Sequence, residues 1–160
     1  MLIVLKFSQL ELADKLVDEL RSRGLKAALL DVREGDRARR VKVVLDEVSK
    51  ANEPVILIGI GGSGRTLLTM LSQVNSQAVK GLVLISVPNV IDYIDEIARF
   101  RKPTLLIWTI QDPHAPVEEA AYVQSAVRYA SLKVLRGDLG ESLGEAALAI
   151  GEWVNSIKPD

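Results

Sequence analysis

Short runs of apolar residues alternate along the chain with longer stretches in which apolar positions recur every three or four residues. The short runs, rich in Leu, Ile and Val, cover residues 2–6, 27–31, 55–59, 82–86, 104–109 and 132–135. Each is almost continuously apolar, as a strand is when layers cover both of its faces. Between the first two runs, Leu12, Leu16 and Leu20 mark one face of a helix that ends before Gly24, with Glu11 and Lys15 as an exposed i,i+4 pair. Val41, Val44, Leu45 and Val48 give a second helix its inward stripe, and Pro54 closes the linker before the third strand. Helical spacing predicts further helices over 65–74, 90–100, 116–129 and 141–157. Strand followed by helix, repeated with short connections, predicts an α/β fold: one three-layer, doubly wound domain over 1–160, with a six-stranded parallel sheet.

Composition narrows the function classes. A chain of 160 residues with 48% hydrophobic and 26% charged residues suits one soluble core. A formal net charge of -1 gives no electrostatic footprint for nucleic acid. With no cysteine there is no disulfide, thiolate metal site or cysteine nucleophile, which fits a reducing, cytoplasmic location. No apolar run reaches the roughly 18 residues of a membrane span, and the start of the chain is too short for a signal peptide. Many Arg and Glu with few amides also suit a heat-adapted source.

The most informative segment runs from Pro54 through Val55-Ile56-Leu57-Ile58 into Gly59-Ile60-Gly61-Gly62-Ser63-Gly64-Arg65-Thr66. It reads as strand, glycine-rich turn and helix start, where first-turn N–H groups face the crevice and favour an anion. Gly59, Gly64 and Thr66 also satisfy the phosphate-loop pattern if Arg65 replaces its lysine, a larger and forked cation for that position. The strand at 82–86 then ends without the acidic residue that would help to hold Mg²⁺. The plainest reading is a tight strand-to-helix junction with nothing bound.

The wider sequence resembles the α/β-hydrolase family. There a G-x-S-x-G turn joins strand to helix and holds the nucleophilic serine. Registered from Pro54, Gly59 matches the first glycine, Gly61 stands where the serine belongs, and Ser63 and Gly64 fill the small positions. A shifted register makes Ser63 the nucleophile, between Gly61 and Arg65. Pro103-Thr104-Leu105-Leu106-Ile107-Trp108-Thr109-Ile110-Gln111-Asp112-Pro113-His114-Ala115-Pro116 resembles the segment that delivers the acid of the triad, at Asp112. Asp31-Val32-Arg33-Glu34-Gly35 resembles the turn after the family's fourth strand, with Glu34 inserted. The resemblance implies strand order 2-1-3-4-5-6, with Met1 beginning at the family's third strand. It also exposes departures. Lys6-Phe7, followed by Ser8-Gln9, stands where the family carries His-Gly. The loop from Arg136 to Ser142 has no histidine, and the only histidine of the chain is His114.

In that strand order the sheet's switch point lies between the first and third strands, where open α/β sheets bind ligands. Phe7, Ser8, Gly61, Gly62, Ser63, Gly64 and Arg65 are therefore the expected ligand-binding residues, and Ser63, Asp112 and His114 the catalytic candidates. The expected function is an α/β-hydrolase-like protein without standard serine hydrolase activity, binding a small, anionic molecule or a protein partner. The alternatives are a small serine esterase using Ser63 with a non-standard base, and a nucleotide binder through Gly59 to Thr66. Arg33, Arg37, Arg39, Arg40 and Lys42 are interleaved with acidic residues and read as a solvated face. Asp92, Asp95 and Glu96 lack a histidine and read as a wet helix face, so no metal and no cofactor are expected. Trp108 and Trp153 read as packing. A homo-oligomer is compatible with all of this.

Overall fold

In the computed structural model, which describes residues 1–7, 12–74 and 77–157, the strands are β1 (Leu2–Lys6), β2 (Ala27–Asp31), β3 (Val55–Ile60), β4 (Val79–Ile85), β5 (Thr104–Thr109) and β6 (Ala130–Leu135). They form one parallel sheet in the order β2-β1-β3-β4-β5-β6. The helices between and after them are α1 (Leu12–Ser22), α2 (Arg37–Ala51), α3 (Gly62–Met70), α4 (Ile94–Phe100), α5 (Val117–Ala126) and α6 (Leu143–Ser156).

Two apolar cores flank the sheet. On one face, Leu16 and Leu20 of α1 pack with Ala146, Ile150 and Trp153 of α6 against Val4, Ile58 and Val83. On the other, α2 to α5 contribute Val44, Leu67, Ile97 and Val123, which close over Leu5, Leu57, Leu84 and Trp108. Alternate residues of each strand serve the two cores, so the central strands are apolar throughout and every residue of β3 and β5 is buried. The expectation of continuous burial fails at the sheet edges. There β2 and β6 carry exposed positions, Leu29 and Val134 among them, because each has a strand neighbour on one side only.

Local signals set the element ends. Gly24, at φ +81, stops the chain after α1. Asp36 caps α2 by accepting the N–H of Arg39 at 3.0 Å, and Asn52 ends that helix in the left-handed region. The helix expected over 65–74 begins earlier, at Gly62, and ends in a 3-10 turn, Leu71–Gln73. That over 90–100 divides into a 3-10 turn, Val90–Tyr93, and α4. Strands β4 and β6 start earlier than their apolar runs, since backbone pairing with β3 and β5 extends them across less apolar residues. Glu11, half of the expected i,i+4 pair, lies outside the described residues. No helix among those described is long and apolar enough to cross a membrane.

Candidate functional site

One residue, Gly61, separates β3 from α3. Its backbone stands at φ 54°, ψ -118°, a conformation open to glycine and strained for other residues. The Gly61 N–H donates to the carbonyl of Ile85, and its carbonyl accepts the N–H of Arg65, so the turn is tied to β4 and to the helix it starts. Two glycines let helix and strand touch. A Cβ on Gly59 would lie 2.4 Å from the Cα of Gly64, and one on Gly64 would lie 2.3 Å from Cγ2 of Val87. Gly61 is different: an added Cβ would meet nothing nearer than the Ser86 carbonyl oxygen, at 4.0 Å. The strained position therefore has room for a side chain and carries none.

Ser63 is turned inward. It is 3% exposed, its Oγ accepts the N–H of Ile60 at 2.8 Å and donates to the Ile60 carbonyl at 3.1 Å, and together these bonds staple the end of β3 to the first turn of α3. Thr66 is likewise engaged within the helix, donating to the carbonyl of Gly62. The phosphate-loop reading does not survive this geometry. A phosphate cradle needs open loop from the first glycine of the pattern to the last, whereas here the helix already begins at Gly62 and Gly64 is packed against Gly59.

Beside the turn lies a cavity of about 380 Å³. Phe7 enters it from the end of β1, Arg37 and Arg40 from α2, and Gly62, Arg65 and Thr66 from α3, while Thr69, Met70 and Tyr93 complete the wall. The guanidinium of Arg40 lies over the Phe7 ring, 4.7 Å from its centre, and that of Arg37 donates to the carbonyl of Thr69. Two members of the arginine run read as a solvated face thus line a cavity with Arg65. Their i,i+3 spacing puts them on one side of α2. Of the expected binding residues, Phe7, Gly62 and Arg65 line the cavity and Gly61 forms the turn next to it. Ser63 and Gly64 are buried behind it, and Ser8 lies outside the described residues. Thr66, Thr69 and Met70 follow Gly62 at helical spacing and were legible as its continuation. Tyr93 arrives from a distant turn and had no local signal.

The loop after β5, where the resemblance places Asp112, is bonded to its own backbone. Oδ1 of Asp112 accepts the N–H groups of His114 at 2.8 Å and Ala115 at 3.1 Å, which folds the loop ahead of α5. His114 is exposed. Among the described residues no side-chain to side-chain hydrogen bond links Ser63, Asp112 and His114. In the loop after β6, Asp138 caps the N–H of Glu141 and Ser142 donates to the carbonyl of Arg136. The turn after β2 is held by Asp31, which accepts the backbone N–H and the guanidinium of Arg33. The hydrogen-bonded Arg33 holds the Asp31 carboxyl below its ordinary value despite some desolvation, and Asp31 in turn raises Arg33.

No family model matches the sequence, and no curated protein matches it in sequence. Solved structures do match in shape. Est1E from Butyrivibrio proteoclasticus superposes with a TM-score of 0.79 at 14% identity, covering 98% of this chain and 86% of its own. MGS-MChE2, an α/β hydrolase enzyme from a lagoon-sediment metagenome, gives 0.77 at 18% identity over 98% and 91%. The esterase domain of a Rhodothermus marinus protein gives 0.76 at 18% over 98% and 86%. With the sheet order and the two helical layers, these likenesses establish that the chain has the α/β-hydrolase fold.

Proposed function

We propose that this chain is an α/β-hydrolase-fold protein that lacks the fold's standard serine chemistry and binds a small molecule in the crevice beside its glycine turn. One observation carries the reading: the strained residue between β3 and α3, where the resemblance calls for a serine, is Gly61. The other parts agree with it. Ser63 is committed to the backbone of Ile60, and Asp112 to the N–H groups of its own loop. Residues 136–160 hold no histidine where the resemblance places the base of a triad. What the crevice retains is an open cavity beside the switch point of the sheet, of a volume within the range of small-molecule sites.

The second reading, a small serine esterase using Ser63 with a non-standard base, draws support from the matched structures described as esterases. A fluorophosphonate probe and a short-chain ester, applied to the wild-type chain and to Ser63→Ala, separate the two. The expected result is no labelling and no hydrolysis above the buffer rate. Labelling mapped to Ser63 by peptide mass spectrometry, with turnover lost in the folded variant, would establish the esterase and end the proposal.

A further inference from the structure

We infer that the cavity beside the turn takes a dianionic phosphoryl group, gripped by Arg37, Arg40 and Arg65, with the apolar part of the same molecule against Phe7, Met70 and Tyr93. This rests on the reading of the crevice as a binding site and adds the chemical class of its ligand.

The first argument is the state of the three cations. Among the described residues Lys6 pairs with Asp14, Arg23 with Glu19, Lys26 with Glu53 and Arg33 with Asp31. Arg37, Arg40 and Arg65 form no ion pair with any described residue, although the chain has 21 acidic residues to supply one. Arg39 and Lys42 of the same run also form no ion pair with any described residue and face solvent, so what sets Arg37, Arg40 and Arg65 apart is where they stand. Here three like charges border one cavity of about 380 Å³, an arrangement that self-repulsion disfavours until an anion enters.

The second argument is preorganisation. Arg37 is tethered to α3 through the Thr69 carbonyl, and Arg40 lies over Phe7 with its Nε sealed from solvent and without a hydrogen-bond partner. A buried, unpartnered N–H on a charged group is costly, and a ligand acceptor toward which the Arg40 side chain turned would relieve it. Each guanidinium offers a planar fork matched to a phosphate or carboxylate, and two of the three are held in place before a ligand arrives. The first turn of α3, reached through Gly62, adds the positive end of the helix dipole.

The third argument selects the class. A single carboxylate is satisfied by one guanidinium fork and leaves two cations uncompensated. A phosphomonoester carries close to two charges above its second pKa of about 6 and three acceptor oxygens, enough for all three arginines. The cavity also has an apolar wall of Phe7, Met70 and Tyr93, so a phosphoryl group bearing a compact apolar or aryl substituent fits better than free phosphate.

Isothermal titration calorimetry of the full chain with phenyl phosphate, inorganic phosphate, acetate and phenol tests this. Phenyl phosphate is expected to bind best and acetate at least about tenfold more weakly, with affinity falling as salt is added and rising as pH passes about 6. Arg65→Gln and Arg40→Gln are each expected to weaken phenyl phosphate about tenfold, while Arg39→Gln, outside the cavity, leaves it unchanged. Arg65 is exposed, so its variant keeps the fold. Absence of phenyl phosphate binding at millimolar concentration overturns the inference, as does acetate binding equally well or equal loss in Arg39→Gln. Phenol binding without phenyl phosphate binding overturns the ligand class and leaves the crevice as a binding site. Probe labelling at Ser63 overturns the functional reading itself.

Discussion

The turn after β3 and the loop after β5 are held in opposite ways. The first is a backbone feature without a side chain: Gly61 holds a strained conformation with space for a Cβ. The second is a side-chain feature turned on its own backbone, since Asp112 bonds the N–H groups of His114 and Ala115. The contrast teaches that backbone shape at the turn is maintained by packing, and the conformation of the Asp112 loop by local turn chemistry.

The largest effect that would sharpen this contrast is expected at the strand–helix contact. Gly59→Ala pushes a methyl group into the backbone of Gly64, which cannot rotate away, and should destabilise the fold by about 3 kcal/mol in urea denaturation. A neutral result would show that the turn is not held by this contact. Ser63→Ala comes next, at about 2 kcal/mol, because the buried N–H of Ile60 loses its acceptor. If Ser63 were instead a free nucleophile, stability would hardly change while probe labelling vanished. Gly61→Ser should cost about 1 kcal/mol of stability, reflecting torsional strain in a position with room. Without a histidine after β6 it should not hydrolyse esters, and turnover in that variant would reveal a base that the reading omits. In the acid loop, Asp112→Ala should lose about 1 kcal/mol, with Asp112→Asn less affected because it keeps an acceptor. Equal loss from both would point to a role for the charge.

The smallest effect is in acid. Arg33 lowers the Asp31 carboxyl, and Lys26 with the N-terminus lowers that of Glu53. Their stabilisation is fully present above the unfolded-state values of these carboxyls and declines as pH falls through the lower, folded-state ones. Asp31→Asn should flatten the acid limb of stability against pH slightly. An unchanged limb would remove Asp31 from the acid response.

Much of the fold was legible because buried parallel strands advertise themselves. Val55 to Ile58 and Leu105 to Trp108 are apolar on both faces, and Gly24 marks a helix end by local chemistry. The same logic misled at the edges, where Leu29 and Val134 are as apolar as core residues yet exposed. Hydropathy records a residue's preference and carries no information on whether a neighbour covers it. At the site, registering the strand from Pro54 against the resembled pattern placed Gly61 at the turn, and the structure puts it between β3 and α3. The arginines were read by sequence neighbourhood, where Glu34 and Asp36 dilute them, and the cavity formed only when α2 and α3 came side by side. Tyr93 belongs to the same class, brought in by crossover topology that no local pattern encodes.

The contact between Gly59 and Gly64 also bears on the order of assembly. It closes a loop of roughly five residues, whereas the pairing of Leu2 with Ile56 across β1 and β3 closes one of more than fifty. Loop closure alone makes the longer connection harder to form by roughly 2 kcal/mol. The Gly59–Gly64 contact therefore depends on a short-range encounter, whereas the bond from Gly61 to Ile85 and the strand pairings wait for segments further apart in the chain.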